Sequence, residues 1–175
     1  MKFVVVYESM FGNTETIAQA IAAGLRGAGE VKVGTVDELS PVEVRDATLL
    51  VAGGPTHAHS MARPNAHETI ARERSYRRYR PILPGQESLR GWIERLSVAP
   101  ARAATFDTRF DKPMLITGSA AKKIAARLTR KGYSVLEARS FLVSATGGPL
   151  VEGERDRALE WGRELGVKAR SPAAA

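Results

Sequence analysis

The sequence contains no cysteine. A chain without thiols forms no disulfide, has no thiol nucleophile and offers no thiolate to a metal. No apolar run approaches the roughly 20 residues that a helix needs to cross a bilayer. The first residues also lack a long apolar segment that ends in a small-residue cleavage site. We therefore expect a cytoplasmic protein with no membrane span and no secretory leader.

Two familiar phosphate-binding motifs are missing as well. No Gly-x-x-x-x-Gly-Lys-Ser/Thr sequence is present, so we do not expect a P-loop NTPase. The close glycine pair Gly27-Ala28-Gly29 follows a predicted helix and precedes a predicted strand. The dinucleotide fingerprint requires the reverse order, with glycines that open a helix. We therefore do not expect a standard Rossmann dehydrogenase either.

Positive charge is in excess. The 175 residues carry a formal net charge of +7, with a sequence pI near 10.0. This balance favours acidic ligands, acidic protein surfaces or nucleic acid as partners and says nothing about the fold. Hydrophobic residues make up 43% and charged residues 26% of the chain, which is typical of a globular domain. The length favours one domain, which we place at residues 1–168, followed by a flexible C-terminal tail at residues 169–175.

Apolar runs alternate along the chain with segments of helical periodicity. The predicted strands are Lys2–Tyr7, Val31–Val36, Thr48–Ala52, Ala103–Phe106 and a fifth strand in two pieces, Tyr133–Leu136 and Ser140–Ser144. The predicted helices are Thr14–Ala28, a short helix capped by Ser40, Ser88–Leu96, Ser119–Lys131 with Gly132 as its cap, and Glu154–Leu165. This alternation predicts an α/β fold in which a doubly wound, five-stranded parallel sheet forms the middle of three layers, with strand order 2-1-3-4-5.

The segment Ser9–Thr14 is the clearest candidate for a ligand site. It joins a buried strand to a helix, so the first helical N–H groups, which have no partner in the helix, point toward it. The helix dipole adds partial positive charge there, and phosphate binds readily at such a terminus. The hydroxyls of Ser9 and Thr14 offer further donors, and Gly12 permits a positive φ or a close approach by a ligand.

A second segment, Gly53–Met61, directly follows predicted strand three. In open parallel sheets, ligands bind beyond the carboxyl ends of the strands at the switch point, where Ser9–Thr14 also lies. The segment Gly53–Met61 contains two histidines, His57 and His59. They can hydrogen-bond a ligand, act as proton donors near neutral pH, or simply pack in the loop. No nearby pattern of Asp, Glu and His completes a ligand set, so we predict no metal site.

Ser9–Thr14 resembles the phosphate loop of the flavodoxin-like family, whose usual form is Thr/Ser-x-Thr/Ser-Gly-x-Thr. Phe11 stands where small electron-carrying flavodoxins have a hydroxyl. In having an aromatic residue at this position, the loop resembles that of flavodiiron proteins and of flavodoxin-like quinone oxidoreductases. Gly53–Met61 looks like the second flavin loop of those oxidoreductases, a Gly-x-Pro-Thr-x-x-x-x-Met pattern. The resemblance covers the whole chain in topology, but only these two loops in motif.

The resemblance implies FMN as the cofactor. Its phosphate would be held by Ser9, Met10, Phe11, Gly12, Asn13 and Thr14. One side of the flavin ring would be flanked by Pro55, Thr56, His57, Ala58, His59 and Ser60. The other side would meet a third loop after strand four, made of Phe106, Asp107, Thr108, Arg109 and Phe110. An alternative alignment makes Pro113–Ile116 the strand and Gly118–Ala120 the loop.

Three functions remain open from the sequence. The first is an FMN-binding protein that transfers electrons to a redox partner protein. The second is an NAD(P)H-dependent quinone reductase, which would act on a small quinone-like substrate. The third is a flavodoxin-fold module that has lost its flavin and binds an acidic partner. None of them requires a catalytic side chain that we can identify, because the chemistry of a flavoprotein resides in its cofactor.

The segment Arg72–Arg80 interleaves arginines with Tyr76 and Tyr79. Basic and aromatic side chains together can bind single-stranded nucleic acid. However, Tyr76, Tyr79 and Leu83 recur at helical spacing, which favours a helix that buries its tyrosines and solvates its arginines. Docking of an acidic protein is the third interpretation. We favour the helix and do not expect nucleic acid as a partner.

Overall fold

A computed structural model describes residues 1–57, 60–61, 87–97, 102–145 and 148–170 of the chain. Its central element is a sheet of parallel strands, namely β1 (Lys2–Tyr7), β2 (Glu30–Thr35), β3 (Leu49–His57), β4 (Arg102–Phe110) and β5 (Ser134–Val143). Their order is β2-β1-β3-β4-β5. The two-residue strand Ser60–Met61 pairs antiparallel with the end of β3. The predicted order 2-1-3-4-5 is therefore confirmed.

Helices cover both faces of the sheet. They are α1 (Asn13–Leu25), α2 (Leu89–Glu94), α3 (Met114–Thr117), α4 (Ala120–Arg130) and α5 (Glu154–Arg170), with a 3-10 turn at Pro41–Val44. One core cluster joins the sheet to α1 and α5, and a second joins it to α2 and α4. Along β1, Phe3 and Val5 belong to the first cluster, while Val4 and Val6 belong to the second. A strand buried on both faces reads as an unbroken apolar run, as β1 does.

Capping residues set several helix boundaries: Ser40 and Gly132 are the predicted caps, and Ser88 and Ser119 precede the helices predicted to begin at them. Ser88 Oγ accepts the amide of Gly91 at 3.2 Å, and Ser119 Oγ accepts the amide of Lys122 at 3.3 Å. Ser40 forms a capping box with Glu43 at the start of the 3-10 turn. Gly132 has a φ of 87° just after α4, where a helix commonly ends in the left-handed region. Local capping chemistry therefore sets these ends.

The two central strands are longer than predicted. β3 continues through Pro55 to His57, and β4 continues to Phe110, so the predicted second loop begins inside a strand and the predicted third loop is entirely strand. The reason is mutual pairing, because Gly53, Gly54 and Pro55 lie opposite Phe106, Asp107 and Thr108. Beyond Pro55 and Thr108, the end of β3 pairs with Ser60–Met61 and the end of β4 pairs with Leu142 and Val143 of β5.

Three further boundaries are corrected. β5 is one strand rather than two pieces, with an irregularity where Ala103 and Ala104 pair with Val135 and Glu137 and skip Leu136. The alternative strand Pro113–Ile116 is wrong, because α3 occupies that stretch. α5 runs to Arg170 and so includes the first two residues of the predicted tail 169–175. Residues 171–175 lie outside the described part of the chain.

Helices α1 and α5 approach each other closely through small residues. A Cβ at Gly162 would overlap the carbonyl oxygen of Ile21 and lie 3.0 Å from its carbonyl carbon. A Cβ at Gly24 would overlap the carbonyl oxygen of Leu159. These obstacles are backbone atoms, which cannot rotate away as side chains do. The pair of glycines therefore fixes the distance at which α5 packs on α1.

Replacement of Gly162 by alanine should lower the free energy of unfolding by about 1–3 kcal/mol, the usual cost of overpacking a close contact. Gly27→Ala is the matched control, since its added Cβ would come no closer than 3.9 Å to the carbonyl oxygen of Gly24. Urea denaturation of both variants measures the difference. Equal stability of the two variants would contradict the close packing described here.

Candidate functional site

The carboxyl ends of β1, β3 and β4 meet at one edge of the sheet, where the chain leaves β1 through the first loop, Ser9–Thr14. The amide of Glu8, just before this loop, donates to the carbonyl of Gly53 in β3 at 3.0 Å. The loop proper is short, because α1 already begins at Asn13. The first loop therefore sits at the switch point between β1 and β3, as predicted.

Gly12 makes the turn into α1. It is the N-cap of the helix, with φ 85° and ψ −15°, in the left-handed region that favours glycine. A Cβ added there would meet no atom within 4 Å. The backbone conformation, rather than crowding, is what requires glycine. The predicted positive φ of Gly12 is confirmed.

The hydroxyl of Ser9 organises the turn from inside. Its oxygen accepts the amide of Gly12 at 3.2 Å and the amide of Glu15 at 3.3 Å. Because a hydroxyl also carries one donor, Ser9 retains a proton that it can donate to a ligand. The amides of Asn13 and Thr14 begin the helix and have no acceptor within it. These N–H groups and the Ser9 hydroxyl form a set of donors at a positive helix end.

Two side chains tie the first loop to neighbouring elements. Thr14 Oγ1 lies 2.8 Å from Oγ1 of Thr108 in β4, in a buried hydrogen bond. Asn13 Nδ2 donates to the carbonyl of Gly148 at 2.6 Å. The structure thus brings together Thr14 and Thr108, which the sequence assigned to separate loops. Since both side chains are engaged in holding the loop, its backbone amides are the groups left for a ligand.

A buried carboxylate joins the second and third predicted segments. Asp107 in β4 has 0% relative exposure. Its Oδ2 accepts the hydroxyls of Thr56 at 3.0 Å and Ser119 at 2.7 Å, and the amide of Ala121 at 2.8 Å. Thr56 Oγ1 in turn accepts the amide of Ala120 at 2.9 Å. A carboxylate at the start of a helix is favoured by the helix dipole, and these bonds anchor α4 to the ends of β3 and β4.

The aromatic residues of the third segment have different positions. Phe106 is fully buried, lies edge-to-face with Phe141 at a centroid distance of 6.4 Å, and fills the space that a Cβ at Gly53 would need. In this structure Phe106 is a core residue beneath α1 and α5. Phe110 is 40% exposed at the end of β4. Of the two aromatics predicted to meet the ring, only Phe110 reaches the surface.

Arg109 braces the turn that follows β4. Its Nη1 donates to the carbonyls of Phe110 at 3.1 Å and Lys112 at 2.6 Å, and lies 3.3 Å from the hydroxyl of Thr117. The guanidinium is therefore committed to the chain between β4 and α3. Its predicted contact with a flavin ring stays a prediction.

The second segment is described only in part. Pro55 and Thr56 are half-buried in β3, which ends at His57. Ser60 begins the short antiparallel strand. Ala58 and His59 lie outside the described residues, as does the whole of the Arg72–Arg80 segment. The predicted ligand roles of these residues stay predictions.

Sequence patterns did not identify two buried polar groups next to the first loop. The Glu8 side chain is 5% exposed, and its Oε2 accepts the amide of Leu89 at 3.0 Å, which links the loop to the start of α2. The Tyr7 side chain is also buried. Burial, together with the negative charges of Glu15 and Glu38, raises the pKa of Tyr7 from 10.0 to about 12. The position of Glu8 after a buried strand does not indicate that its partner is Leu89, some 80 residues away in the sequence.

Removal of the Asp107 carboxylate should destabilise the protein strongly. Asp107→Ala leaves two hydroxyls and one amide without their acceptor, so we expect a loss of about 3 kcal/mol or more in the free energy of unfolding. Asp107→Asn keeps a carbonyl acceptor and should lose less. Chemical denaturation compares the variants, and an alanine variant within about 0.5 kcal/mol of the wild type would refute the network's role.

Tyr7 should make stability depend on alkaline pH. Because its pKa is raised in the folded state, its contribution is fully present below pH 10.0 and is lost as the pH rises toward 12. Thermal unfolding of wild type and Tyr7→Phe, followed in a pH series across this range, isolates the effect. The wild type should lose stability relative to the phenylalanine variant. A constant difference across the series would exclude the raised pKa.

Comparison with known proteins finds one family match and several structures of the same fold. Residues 5–89, which include the first loop and all of β3, match the family model for flavodoxin. A flavodoxin from the domain Archaea is 20% identical, with a TM-score of 0.69 over 98% of this chain and 100% of that one. Oxidised Flavodoxin 1 from Bacillus cereus is 19% identical, with a TM-score of 0.65 over 98% of this chain and 100% of its own.

A larger protein shares the fold as well. The flavodiiron protein from Giardia intestinalis is 20% identical, with a TM-score of 0.63 over 96% of this chain and 36% of that protein. The family match covers the segment that carries the first loop, and the structural matches extend the fold over nearly the whole chain. The chain therefore has the flavodoxin-like fold, and residues 5–89 resemble the flavodoxin family in sequence.

Proposed function

We propose that this protein holds FMN at the first loop and serves in electron transfer. FMN is the cofactor that flavodoxins typically bind. The observation that carries the proposal is the start of α1, where Gly12 takes a left-handed turn and the helix opens directly beyond it. Backbone amides at a helix terminus suit a phosphate group, which carries the negative charge that the dipole favours.

The residues present fit this group. The space next to Gly12 is open, since an added Cβ would meet nothing within 4 Å. The amides of Asn13 and Thr14, with the remaining proton of the Ser9 hydroxyl, are the donors that would hold the phosphate. The bonds from Thr14 to Thr108 and from Asn13 to Gly148 hold those donors in place before a ligand arrives. Preorganised donors bind more tightly because less ordering is required on binding.

Bound FMN would supply one- and two-electron redox chemistry, and the protein's part is to position it and control access to it. The end of β3, with Pro55 and Thr56, and the end of β4, with Phe110, border the same edge of the sheet and would flank the ring. The Asp107 network keeps these strand ends and α4 in a fixed relation. Within the described ranges, no helix is both long and apolar enough to span a bilayer.

Steady turnover separates an electron carrier from a quinone reductase. The aromatic Phe11 and the Gly54-Pro55-Thr56 sequence are the features that favour the enzyme. Continuous oxidation of NADPH in the presence of a benzoquinone would assign the reductase activity. A protein that is reduced and reoxidised by a redox partner, but does not oxidise NADPH, is a carrier. A colourless protein that takes up no added FMN would support the flavin-free alternative.

Gly12→Ala should weaken FMN binding by about tenfold or more, because the alanine strains a left-handed turn that aims the amides. Gly132→Ala is the matched control, since Gly132 has a similar φ of 87° but lies beyond the far end of α4. Quenching of FMN fluorescence measures both affinities. Both variants should lose a similar amount of stability, and only Gly12→Ala should lose affinity. Equal affinities would overturn the assignment of the first loop.

A further inference from the structure

The chain between β4 and the end of α4 forms an unusual surface, which we call the α3–α4 surface. Its members are Phe110, Lys112, Leu115, Ile116, Lys122, Lys123 and Arg130. Leu115 is 95% exposed and Ile116 is 62% exposed, the first and third largest values among the large apolar side chains that are exposed in the described part of the chain. Val167, at 66%, has the second largest. Adjacent exposed apolar side chains on a surface otherwise charged mark an interaction site more often than single ones do.

The charges in and around this surface are mostly positive. Residues 110–131 contain six basic side chains and a single acidic one, Asp111. Arg127 pairs with Glu94 at 2.6 Å, and Lys131 reaches the carbonyl of Glu94. Within the described part of the chain, Lys112, Lys122, Lys123 and Arg130 have no ion-pair partner. Four cations therefore remain available to an external acidic group.

Two of these cations, Lys122 and Lys123, are placed where they lower the stability of α4. Lys122 and Lys123 lie in the first turn of α4, which has no acidic residue, although a helix start favours negative charge. Lys123 and Arg127 are four residues apart, where like charges on a helix repel. Thus Lys122 and Lys123 oppose the helix, whereas Arg130 lies in the last turn, where positive charge is favoured. Binding of an acidic partner would relieve this repulsion.

The surface also adjoins the candidate cofactor site. Ser119 donates to Asp107 and the amide of Ala120 donates to Thr56, so α4 begins at the ends of β3 and β4. Only Gly118 and Ser119 separate α3 from α4, which limits the distance between Thr117 and Ala120 to about 11 Å. The apolar pair and the first lysines of α4 are thus neighbours beside the edge where FMN is proposed to lie.

We propose that the α3–α4 surface is the docking site for an acidic protein surface with a small apolar centre. This inference rests on the proposed electron-transfer function, because it describes the chemistry of the partner that would exchange electrons with the protein. The exposed Leu115 and Ile116 would contact the apolar centre. Lys112, Lys122, Lys123 and Arg130 would face carboxylates beside it. Complementary charge of this kind steers association and fixes orientation more than it adds affinity.

An anionic membrane surface is the competing occupant, and the geometry favours it less. From Lys122 to Arg130 the cations extend along α4 for about 12 Å, at a rise of 1.5 Å per residue. They therefore form a stripe beside the apolar pair rather than a ring around it. Helix α3 has four residues, whereas a helix that lies in a membrane interface presents a long apolar face. A stripe of cations beside a small apolar contact fits an acidic protein surface better than a membrane.

The test is a nuclear magnetic resonance titration of the full-length protein, labelled with nitrogen-15, with and without FMN. The probe is a short peptide in which central leucines are flanked by runs of glutamate, and its control replaces every glutamate by glutamine. The acidic peptide should shift the amides of residues 114–123, with an affinity that falls as salt is added. The glutamine peptide should give no such shifts. Absence of shifts on the α3–α4 surface would overturn the proposal.

Two double variants with the same change in net charge locate the effect. Lys122→Glu/Lys123→Glu should weaken binding of the acidic peptide at least tenfold. Arg26→Glu/Arg155→Glu alters exposed arginines on the helices of the opposite face and should leave binding within about twofold. Equal losses would mean that total charge alone is responsible and would overturn the proposal. All four positions are exposed, and dispersed amide signals confirm that each variant is folded.

Leu115→Ser/Ile116→Ser separates the apolar contact from the charges. Its binding should weaken several-fold while its salt dependence stays that of the wild type. Vesicles of phosphatidylserine and phosphatidylcholine test the competing occupant. In the competing case the wild type sediments with these vesicles, loses this binding in Lys122→Glu/Lys123→Glu, and gives no response to the acidic peptide. This combination of results would assign the surface to a membrane and overturn protein docking.

FMN binding of the same samples distinguishes the two proposals. A protein that binds FMN but gives no peptide shifts on the α3–α4 surface retains the proposed cofactor and loses the docking proposal. A protein that binds the peptide there but takes up no FMN retains the docking surface and loses the electron-transfer role. A protein that neither binds FMN nor gives peptide shifts on the α3–α4 surface would overturn both proposals.

Discussion

The carboxylate of Asp107 is the interaction on which the candidate site depends. It is fully buried, and one of its oxygens accepts three hydrogen bonds that come from β3, from the N-cap of α4 and from the first turn of that helix. A buried carboxylate is stable only when such donors replace the water it has lost. The same bonds satisfy Oδ2, whereas Oδ1 is buried without a partner among the described residues, and they hold the ends of β3, β4 and α4 together. The adjacent Thr108 extends this order to α1 through its bond with Thr14.

The opposite face of the sheet contributes a second constraint. Gly24 and Gly162 let α5 pack directly against the backbone of α1, so the position of α1 depends on this close contact as well as on the side chains of their shared core. Because the first loop is the start of α1, this packing also determines where its amides lie. Polar bonds on one side and helix packing on the other thus fix the position of the first loop. A rigid frame around a short loop is suited to binding a small anion before any ligand is present.

The sequence predicts some of these features and not others. The strand order and the helix start at Ser9–Thr14 are predictable, because continuous apolar runs, helical periodicity and serine caps are local signals. The extension of β3 and β4 is not, since a Gly-Gly-Pro sequence is typical of a turn and only pairing with Phe106–Thr108 keeps it extended. For the same reason Phe106 reads as a loop aromatic but packs in the core against Gly53. The contacts of Glu8 and Asp107 join residues distant in sequence, for which a single sequence gives no pattern.

The most direct test of the account compares FMN with riboflavin, which has the same ring system and no phosphate. Apoprotein is titrated with each ligand, and quenching of flavin fluorescence gives the two dissociation constants. If the start of α1 holds the phosphate, FMN should bind at least about tenfold more tightly, a difference of 1.4 kcal/mol or more. Equal affinities for the two flavins, or uptake of neither, would contradict the claim that the first loop is a phosphate site for FMN.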